Sequence, residues 1–427
     1  MRCAAHTLGC KLNFAETSHL LRQLSERGHT IVNFDDEADL YIINTCTVTA
    51  IAEKKCRNAI RQASRRNPDA QVAVIGCFAQ NAADAIAAIP GVTIILGNDR
   101  KHRLPELIDN TGDRRSLPDP ATPDNQHPFP LAYSSGDRTR CFLKIQDGCD
   151  YFCTYCAIPF ARGRSRSATV EQVLQTVREI ETQGIREVVL TGVNTGTFGQ
   201  HHGENLLQLL RRLDNETQIQ RYRISSIEPN LITEEMVRFI AGSRAFLPHF
   251  HIPLQSGSDK VLQLMHRRYD TALYRDKVEY ILSLMPDACI AADIIAGFNG
   301  EDESEFQHVC RYVDSLPLSY LHVFTYSDRP DTAALRMDGR IPVRMRRDHS
   351  LQLHRISNQK REAFYRSQTG TVRPVLWEST RHPDGTMQGW TDNYIRISRH
   401  YDDRLVGTVT DEHLDEGRIV YNFPTES

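Results

Sequence analysis

Three cysteines share one short stretch in the middle of the chain, GCDYFCTYC, at Cys149, Cys153 and Cys156. Their thiolate sulfurs suit a soft metal such as iron or zinc. A structural zinc site takes four side-chain ligands and a four-iron cluster has four metal corners, so three thiolates leave one position open. An open position is typical of a reactive metal site, because a small molecule can bind there. The structural alternative is zinc, with a fourth ligand from Cys141 or a histidine.

A second set of three cysteines is spread over the first part of the chain. Cys10, Cys46 and Cys77 follow the strand-like segments AAHTL, LYIIN and VAVIG by one to three residues. The carboxyl ends of parallel strands line one crevice of an open α/β sheet. We therefore expect these cysteines to converge at one edge of a sheet, although each could also be an ordinary buried thiol.

The strands and helices that must position the two sets of cysteines predict an α/β multidomain protein. In residues 1–112 the three strands named above, with TIVNF and VTIIL, alternate with helical segments such as AEKKCRNAIRQASRR. This alternation predicts an N-terminal doubly wound parallel sheet. Residues 113–139 carry five prolines among polar residues and are predicted to form a linker.

Residues 140–366 contain six further strand-like segments separated by helical ones: CFLKIQ, EVVLTG, RYRISSI, HFHIPL, CIAADIIAG and YLHVFTY. Six β–α units predict a central partial (β/α)6 barrel, with a long charged helix near residues 343–366. The active site of such a barrel lies at the carboxyl ends of its strands. The GCDYFCTYC loop follows the first strand, and Asn194, Glu228, Gln255 and Gly297 follow later ones, so we expect all of them to face one cavity.

The remaining segment, residues 367–427, alternates short strand patterns with turn residues: VRPVLWES, YIRIS, LVGTVT and GRIVYNF. This pattern is typical of a small antiparallel β-barrel.

Composition limits the class of protein and its surroundings. The 427 residues have a formal net charge of −3, and the start MRCAAHTLGC shows neither a signal peptide nor a membrane anchor. We therefore expect a cytoplasmic protein, where disulfides are rare and eleven cysteines call for metal or redox chemistry. Cys3, Cys56, Cys141, Cys289 and Cys310 fit no metal motif and are predicted to be plain buried or surface thiols.

Several longer motifs resemble one family, the radical S-adenosylmethionine methylthiotransferases. The similar segments are DGCDYFCTYCAIPFARGRSRS, TLGCKLN, NTCTVT, GCFAQ and IPLQSGSDKVLQLMHRRY. The tail is similar to a TRAM domain. The likeness covers essentially the whole chain in the family's order, and two sets of three cysteines make it specific.

The resemblance implies two 4Fe-4S clusters and S-adenosylmethionine. Cys149, Cys153 and Cys156 match the ligands of the cluster that binds S-adenosylmethionine at its open iron, and Cys10, Cys46 and Cys77 match those of an auxiliary cluster that carries the sulfur. The positions matching the S-adenosylmethionine cavity are Tyr155, Gly192, Asn194, Glu228, Gln255 and Gly297. The chain departs from the family at Asn299, where proline is usual, and at Asp331, where glycine is common.

The family replaces the hydrogen of an unactivated carbon–hydrogen bond by a methylthio group and consumes two S-adenosylmethionine molecules. TGVNTGTFG and NTCTVT resemble the branch that acts at C2 of N6-threonylcarbamoyladenosine at position 37 of tRNA. The alternatives are isopentenyladenosine of tRNA, a ribosomal-protein aspartate, or a non-catalytic RNA-binding protein stapled by metal.

The resemblance also implies partners. We expect tRNA, a low-potential electron donor of the flavodoxin or ferredoxin type, no membrane, and a monomer. Arginine-rich runs are usually only solvated surface, but with a tRNA substrate they become predicted phosphate contacts. The predicted RNA-binding residues are Arg162, Arg164, Arg166, Arg344, Arg346 and Arg347.

Overall fold

The computed structural model describes residues 1–110, 129–136 and 139–421. The predicted linker at 113–139 therefore lies largely outside the described residues. Within them, residues 129–136 include the short strand Ala132–Tyr133, which pairs antiparallel with the first barrel strand and was not predicted. None of the described helices combines the length and apolar composition needed to cross a bilayer.

The first part of the chain forms a five-stranded sheet in which all neighbouring strands are parallel. Its strands are β1 (Arg2–Thr7), β2 (Thr30–Val32), β3 (Leu40–Thr45), β4 (Gln71–Gly76) and β5 (Ile94–Leu96), in the order β2-β1-β3-β4-β5. The helices are α1 (Lys11–Glu26), α2 (Ala50–Arg66), α3 (Cys77–Asn81), α4 (Ala83–Ala87) and α5 (Leu104–Asn110). Every strand predicted here from the sequence is present.

Both faces of this sheet are covered, which explains why its strands read as unbroken apolar runs. Along β3, Tyr41 and Ile43 pack into one hydrophobic core, whereas Leu40 and Ile42 pack into another on the opposite face. The carboxyl ends of β3 and β4 lead directly to Cys46 and Cys77, as predicted.

The middle of the chain supplies six parallel strands, and each lies where the sequence predicted one. The six parallel strands are β7 (Arg140–Lys144), β10 (Glu187–Thr191), β11 (Arg221–Ile224), β12 (His249–His251), β13 (Cys289–Ala296) and β14 (Tyr320–Thr325). Three shorter strands form antiparallel pairs: β6 (Ala132–Tyr133), β8 (Gln146–Asp147) and β9 (Arg166–Ser167). The strand orders are β11-β10-β7-β6 and β12-β13-β14, and a parallel bridge from Tyr222 to Phe246 lies between the two sheets.

The helices of this part are α6 (Ile158–Arg162), α7 (Val170–Thr182), α8 (Leu206–Glu216), α9 (Glu234–Gly242), α10 (Asp259–Leu264), α11 (Thr271–Leu284), α12 (Glu303–Ser315) and α13 (Val343–Ser367). Apolar residues of α7, α8, α9, α11 and α12 pack with the barrel strands in one hydrophobic core. Several begin with a side-chain cap that accepts a backbone N–H, such as Thr169 before α7 and Asn205 before α8. Helix α13 is the long charged helix expected near residues 343–366.

The tail forms a four-stranded antiparallel sheet in the order β17-β16-β15-β18. Its strands are β15 (Val372–Trp377), β16 (Thr386–Thr391), β17 (Arg396–His400) and β18 (Val409–His413). Strand β16 was not predicted. The expected strand GRIVYNF reduces, within the described residues, to a single bridge between Ile397 and Ile419.

The tail covers the amino ends of the barrel strands, opposite to the cysteine loop. Arg221 and Arg223 both form ion pairs with buried Glu187 and also donate hydrogen bonds to the backbone carbonyl of Thr391. Although burial alone would raise the pKa of Glu187, its arginine neighbours lower it to about 2. A buried ion-pair cluster of the barrel therefore joins it to the tail through hydrogen bonds to a backbone carbonyl.

Candidate active site

The three clustered cysteines lie on a loop whose two ends are tied together. Strands β8 and β9 pair antiparallel on either side of the stretch from Gly148 to Ser165. Gly148 adopts a φ of +69°, and a Cβ atom there would lie 2.0 Å from the backbone oxygen of Arg164. Only glycine fits this crossing, so the residue before Cys149 fixes where the loop begins.

The loop is also anchored to the barrel. The backbone N–H of Thr154 donates to the oxygen of Met265, and its hydroxyl donates to the oxygen of Leu264 at 2.8 Å. In return, the oxygen of Thr154 accepts from the N–H of Ala334 at 2.8 Å. These bonds hold the thiols of the loop at the carboxyl ends of the barrel strands, where an active site was predicted.

All three thiols of the loop line one cavity of about 280 Å³. The side chains that share this wall with them include Tyr155, Asn194, Glu228 and Gln255, each of which was predicted to face it. Gln255 has a φ of +63°, an uncommon conformation for a residue other than glycine, and such strain often marks a functional side chain. The structure thus brings most of the predicted cavity residues together.

Two predicted cavity residues lie elsewhere. A Cβ atom at Gly192 would meet the side chains of Gln146 and Thr195, so this glycine allows close packing behind the cavity wall. Gly297 has a φ of +75° and lies against Arg346 of α13, where a Cβ would come within 2.5 Å of the arginine side chain. Neither glycine is among the residues that line the cavity.

The most prominent cavity residue that was not predicted is Arg267. Its guanidinium donates to the sulfur of Cys153 at 3.0 Å and to the hydroxyl of Tyr155 at 3.4 Å, and it forms an ion pair with Glu228. Burial raises the pKa of Glu228, and Arg267 opposes that rise. The motif LMHRRY contains this arginine, but the sequence alone does not show which of its two arginines points inwards.

The second set of cysteines converges as predicted. The backbone of Gly9 packs against Cys46 so closely that a Cβ would lie 2.8 Å from the Cβ of Cys46. Burial raises the pKa of Cys46 to about 12, and the thiols of Cys77 and Cys10 add to this rise. Cys56 is close as well, because its sulfur accepts the backbone N–H of Cys46 at 3.4 Å.

The two cysteine sets belong to one region of the molecule. Val48 and Thr49, two and three residues after Cys46, line the cavity of the cysteine loop. Helix α3, which begins at Cys77, packs on α6, which follows Cys156. The amide of Asn98 joins them, since it donates to the oxygen of Ala161 at 2.7 Å and to the sulfur of Cys77 at 3.5 Å.

The donor sets suit a soft metal. Each set offers three thiols, and thiolates are the ligands that iron–sulfur clusters take. The three thiols of the loop line one cavity, so they could together hold one such cluster.

The cavity also offers unused polar groups. Burial raises the pKa of Cys149 to about 11 and that of Cys156 to about 12, so a metal must displace protons to bind there. The buried amide of Asn194 lies near the hydroxyl of Tyr151 but makes no side-chain hydrogen bond of normal geometry to a described residue. A buried polar group without a partner is costly, so Asn194 is available to a ligand.

Arg162, Arg166 and Arg346 are not placed to contact RNA, which corrects their prediction. Arg162 is 1% exposed and donates to Asp147 at 2.8 Å and to Asn13 at 2.6 Å. Arg166 pairs with Asp99 at 2.9 Å, and Arg346 is buried with its guanidinium on backbone carbonyls. The other three arginines are exposed: Arg164, Arg344 and Arg347.

The two departures from the family pattern have structural roles. Asn299 donates from its amide to the oxygen of Ala334 at 2.8 Å, which holds the loop after β13 against the segment after β14. Asp331 adopts a φ of +63°, so the position does need the left-handed conformation for which glycine is common. Aspartate tolerates that conformation better than most side chains.

Comparison with known proteins agrees with this arrangement. The uncharacterized protein family UPF0004 matches residues 2–97, and the radical SAM superfamily matches residues 143–313, which implies a 4Fe-4S cluster and S-adenosylmethionine. The chain resembles a solved radical S-adenosylmethionine methyltransferase, TsrM from Kitasatospora setae, with a TM-score of 0.54, 15% identity, and 76% and 74% of the two chains covered. That likeness shows the fold alone.

Curated relatives match over nearly the full length. The threonylcarbamoyladenosine tRNA methylthiotransferase MtaB of Aquifex aeolicus is 36% identical over 93% of this chain and 97% of its own. The enzyme of the same name from Bacillus subtilis is 34% identical over 98% and 95%. Because identity at this level spans both chains, the protein belongs to the radical S-adenosylmethionine tRNA methylthiotransferase family.

Proposed function

We propose that this protein inserts a methylthio group at C2 of N6-threonylcarbamoyladenosine at position 37 of tRNA. The observation that carries the proposal is the meeting of two three-cysteine sets beside one cavity. The names of the full-length relatives supply the substrate. The expected reagents are two 4Fe-4S clusters and two S-adenosylmethionine molecules, with electrons from a donor of the flavodoxin or ferredoxin type.

Cys149, Cys153 and Cys156 would hold the first cluster. When bound, that cluster and S-adenosylmethionine supply a carbon radical able to remove hydrogen from an unactivated carbon–hydrogen bond. Arg267 lies at the sulfur of Cys153 and holds Glu228 in place, so it fixes the cavity wall beside the loop. Asn194, Glu228 and Gln255 line the cavity and would offer polar atoms to bound S-adenosylmethionine, while the apolar part of the wall would exclude water.

Cys10, Cys46 and Cys77 would hold the auxiliary cluster, which carries the sulfur. Asn98 orients Cys77 through its N–H···S contact and ties it to the end of the loop helix α6. The same amide therefore helps to hold α3 and α6, and with them the two proposed metal sites, against each other.

We propose a finer description of the architecture. Residues 1–112 form a doubly wound methylthiotransferase domain, residues 140–366 a partial (β/α)6 barrel with a trailing helix, and residues 367–427 a TRAM domain. The six parallel strands and the bridge between their two sheets support the barrel. The antiparallel tail sheet supports the TRAM domain.

The exposed arginines remain proposed contacts to tRNA phosphates. Arg164 is 71% exposed on the cysteine loop, close to the aromatic ring of Phe152. Arg344 and Arg347 lie on the exposed side of the first turns of α13. Contacts of this type position the RNA without reading its sequence.

Two measurements test the function. Reconstituted protein should contain about eight irons per chain with matching acid-labile sulfide, whereas a metal-stapled binding module would hold zinc. In tRNA from cells lacking the gene, the 2-methylthio derivative of threonylcarbamoyladenosine should disappear while unmethylthiolated threonylcarbamoyladenosine accumulates. Loss of the isopentenyl derivative instead, or an altered ribosomal-protein aspartate, would replace the proposed substrate by one of the alternatives.

A further inference from the structure

A polar cluster lies on the cavity wall away from the cysteine loop. His251 ends β12, Asp293 lies in β13 and His322 lies in β14, so three neighbouring strands each contribute one residue. The Nε2 atom of His251 is 2.7 Å from an Asp293 carboxylate oxygen, and the rings of His251 and His322 lie 5.1 Å apart. One polar atom from each residue lies within 4.8 Å of the other two.

The cluster opens on the cavity of the cysteine loop. Asp293 lines that cavity, and His322 is its direct partner across the strand pair, so their side chains point to the same face. Two residues further along β14, Phe324 points to this face as well and lines the same cavity. Phe324 is 42% exposed. An exposed ring here offers a surface on which a nucleobase can stack.

The charges around the cluster suit a polar ligand that carries a carboxylate. His322 is exposed at the cavity, and its protein surroundings together with His251 lower the pKa of its ring, which favours the neutral form with one N–H and one lone pair. Burial opposes the ionisation of Asp293, but His251 lowers its pKa and keeps it a hydrogen-bond acceptor. Lys11, next to Cys10, is close enough to contribute to both shifts, and Arg361 adds to the lowering of the pKa of His322.

We infer that His251, Asp293, His322 and Phe324 form the subsite that receives the modified nucleoside, with the polar cluster bound to the threonylcarbamoyl group. This inference rests on the proposed function. The substituent has N–H and hydroxyl groups that can donate to Asp293. Its carboxylate can accept from a histidine N–H and lies in the positive field of Lys11. Phe324 stacks against the base.

The same wall discriminates against an isopentenyl substituent. A hydrocarbon chain would remove water from the three polar residues without replacing its hydrogen bonds. Sites built to bind a polar group reject analogues that lack it far more strongly than apolar pockets reject extra atoms. The subsite therefore explains how this chain selects its nucleoside.

The test compares kcat/KM of the reconstituted holoenzyme for two tRNAs that differ only in nucleoside 37, threonylcarbamoyladenosine or isopentenyladenosine. The wild-type protein should prefer the first. His251→Leu and His322→Leu should each lower kcat/KM for the first by about 10- to 100-fold, the loss of one or two hydrogen bonds, and should not lower it for the second. Phe324→Ala should lower both values alike, because the ring contacts the base and not the substituent.

His308→Leu is the matched control, since His308 is exposed on α12 away from the cavity. It should leave both values unchanged. Iron content and thermal unfolding, measured on every variant, separate loss of recognition from loss of structure. His322→Gln keeps an N–H donor, so compared with His322→Leu it should recover part of the preference for threonylcarbamoyladenosine over isopentenyladenosine.

The outcomes distinguish two failures. A wild-type protein that does not modify threonylcarbamoyladenosine overturns the proposed function. A wild-type protein that does so, while His251→Leu and His322→Leu keep its preference with normal iron content, overturns the subsite and leaves the function standing.

Discussion

Replacement of Arg162 by methionine tests whether this residue joins domains or binds RNA. Methionine fills similar space but has no charge, so packing changes little. The guanidinium lies between the N-terminal domain and the cysteine loop, with Asn13 and Glu16 on one side and Asp147 on the other. We expect the variant to be destabilised, with no change in the salt dependence of tRNA binding.

The magnitude follows from the contacts. Breaking a buried ion pair typically costs about 3–5 kcal/mol, because one charge is left without a partner. Here the carboxylates keep other partners: Lys144 lies 2.7 Å from Glu16 and 3.0 Å from Asp147. The loss should therefore be near the lower limit, about 3 kcal/mol, mostly from the two short bonds to Asp147 and Asn13.

The assay is urea unfolding followed by circular dichroism, together with the slope of log K for tRNA binding against log salt concentration. Arg164→Met is the matched control, because Arg164 lies two residues away and is 71% exposed. It should leave the unfolding midpoint unchanged and lower the salt slope by about 1. The reasoning is refuted if Arg162→Met shows the behaviour expected of Arg164→Met, with normal stability and a reduced slope.

Three further predictions concern the loop, the tail and the RNA surface. Gly148→Ala should prevent binding of about half of the iron, because its Cβ would lie 2.0 Å from backbone. Gly184→Ala is the control: this glycine has a similar φ of +74° and open space around it, so the variant should lose only about 1–2 kcal/mol of stability and keep its iron. Equal iron content in the two variants would contradict the steric argument. The pKa of Glu187 is lowered to about 2, so its contribution to stability is full above the ordinary pKa of 4.5 and is lost as the pH falls from 4.5 towards about 2. In urea unfolding at a series of pH values, Glu187→Gln should therefore flatten this part of the plot of stability against pH. An unchanged plot would assign the acid sensitivity to other groups. Arg344→Gln combined with Arg347→Gln should weaken tRNA binding about equally for different tRNA sequences and lower the salt slope by about 2, and a full slope would make these residues plain surface.

Much of the fold was predictable because the sequence marks both the buried strands and the reactive residues that follow them. Buried parallel strands appear as apolar runs, and cysteines directly after them must meet at one edge of the sheet. Strand β16 was missed because TMQGWT contains a glycine. The structure shows the reason for that residue, since a Cβ at Gly389 would lie 2.5 Å from Val375 on the neighbouring strand. Close packing within the sheet requires this glycine, but a single sequence does not show it.

The arginines show where sequence reasoning fails. Arg162, Arg164 and Arg166 occupy every second position of one segment, and the sequence alone does not show which of them is buried. Arg162 at the end of α6 and Arg166 in β9 are buried, whereas Arg164 between them lies in solvent. Which side chains are buried depends on carboxylates far away in the sequence, Glu16 and Asp99 among them. Arg267 was missed for the same reason.

The buried charges between the N-terminal domain and the barrel do more than hold the two together. The carboxylates and cations of this network are Glu16, Asp99, Asp147, Lys101, Lys144, Arg162 and Arg166. Three negative and four positive groups leave one surplus positive charge. Arg162 lies close enough to Cys77 and Cys10 for their thiolates to raise its pKa. This surplus charge lies beside the sulfurs of Cys77 and Cys10 and should favour their thiolate forms, so metal binding at Cys10, Cys46 and Cys77 should tighten the contact between the domains.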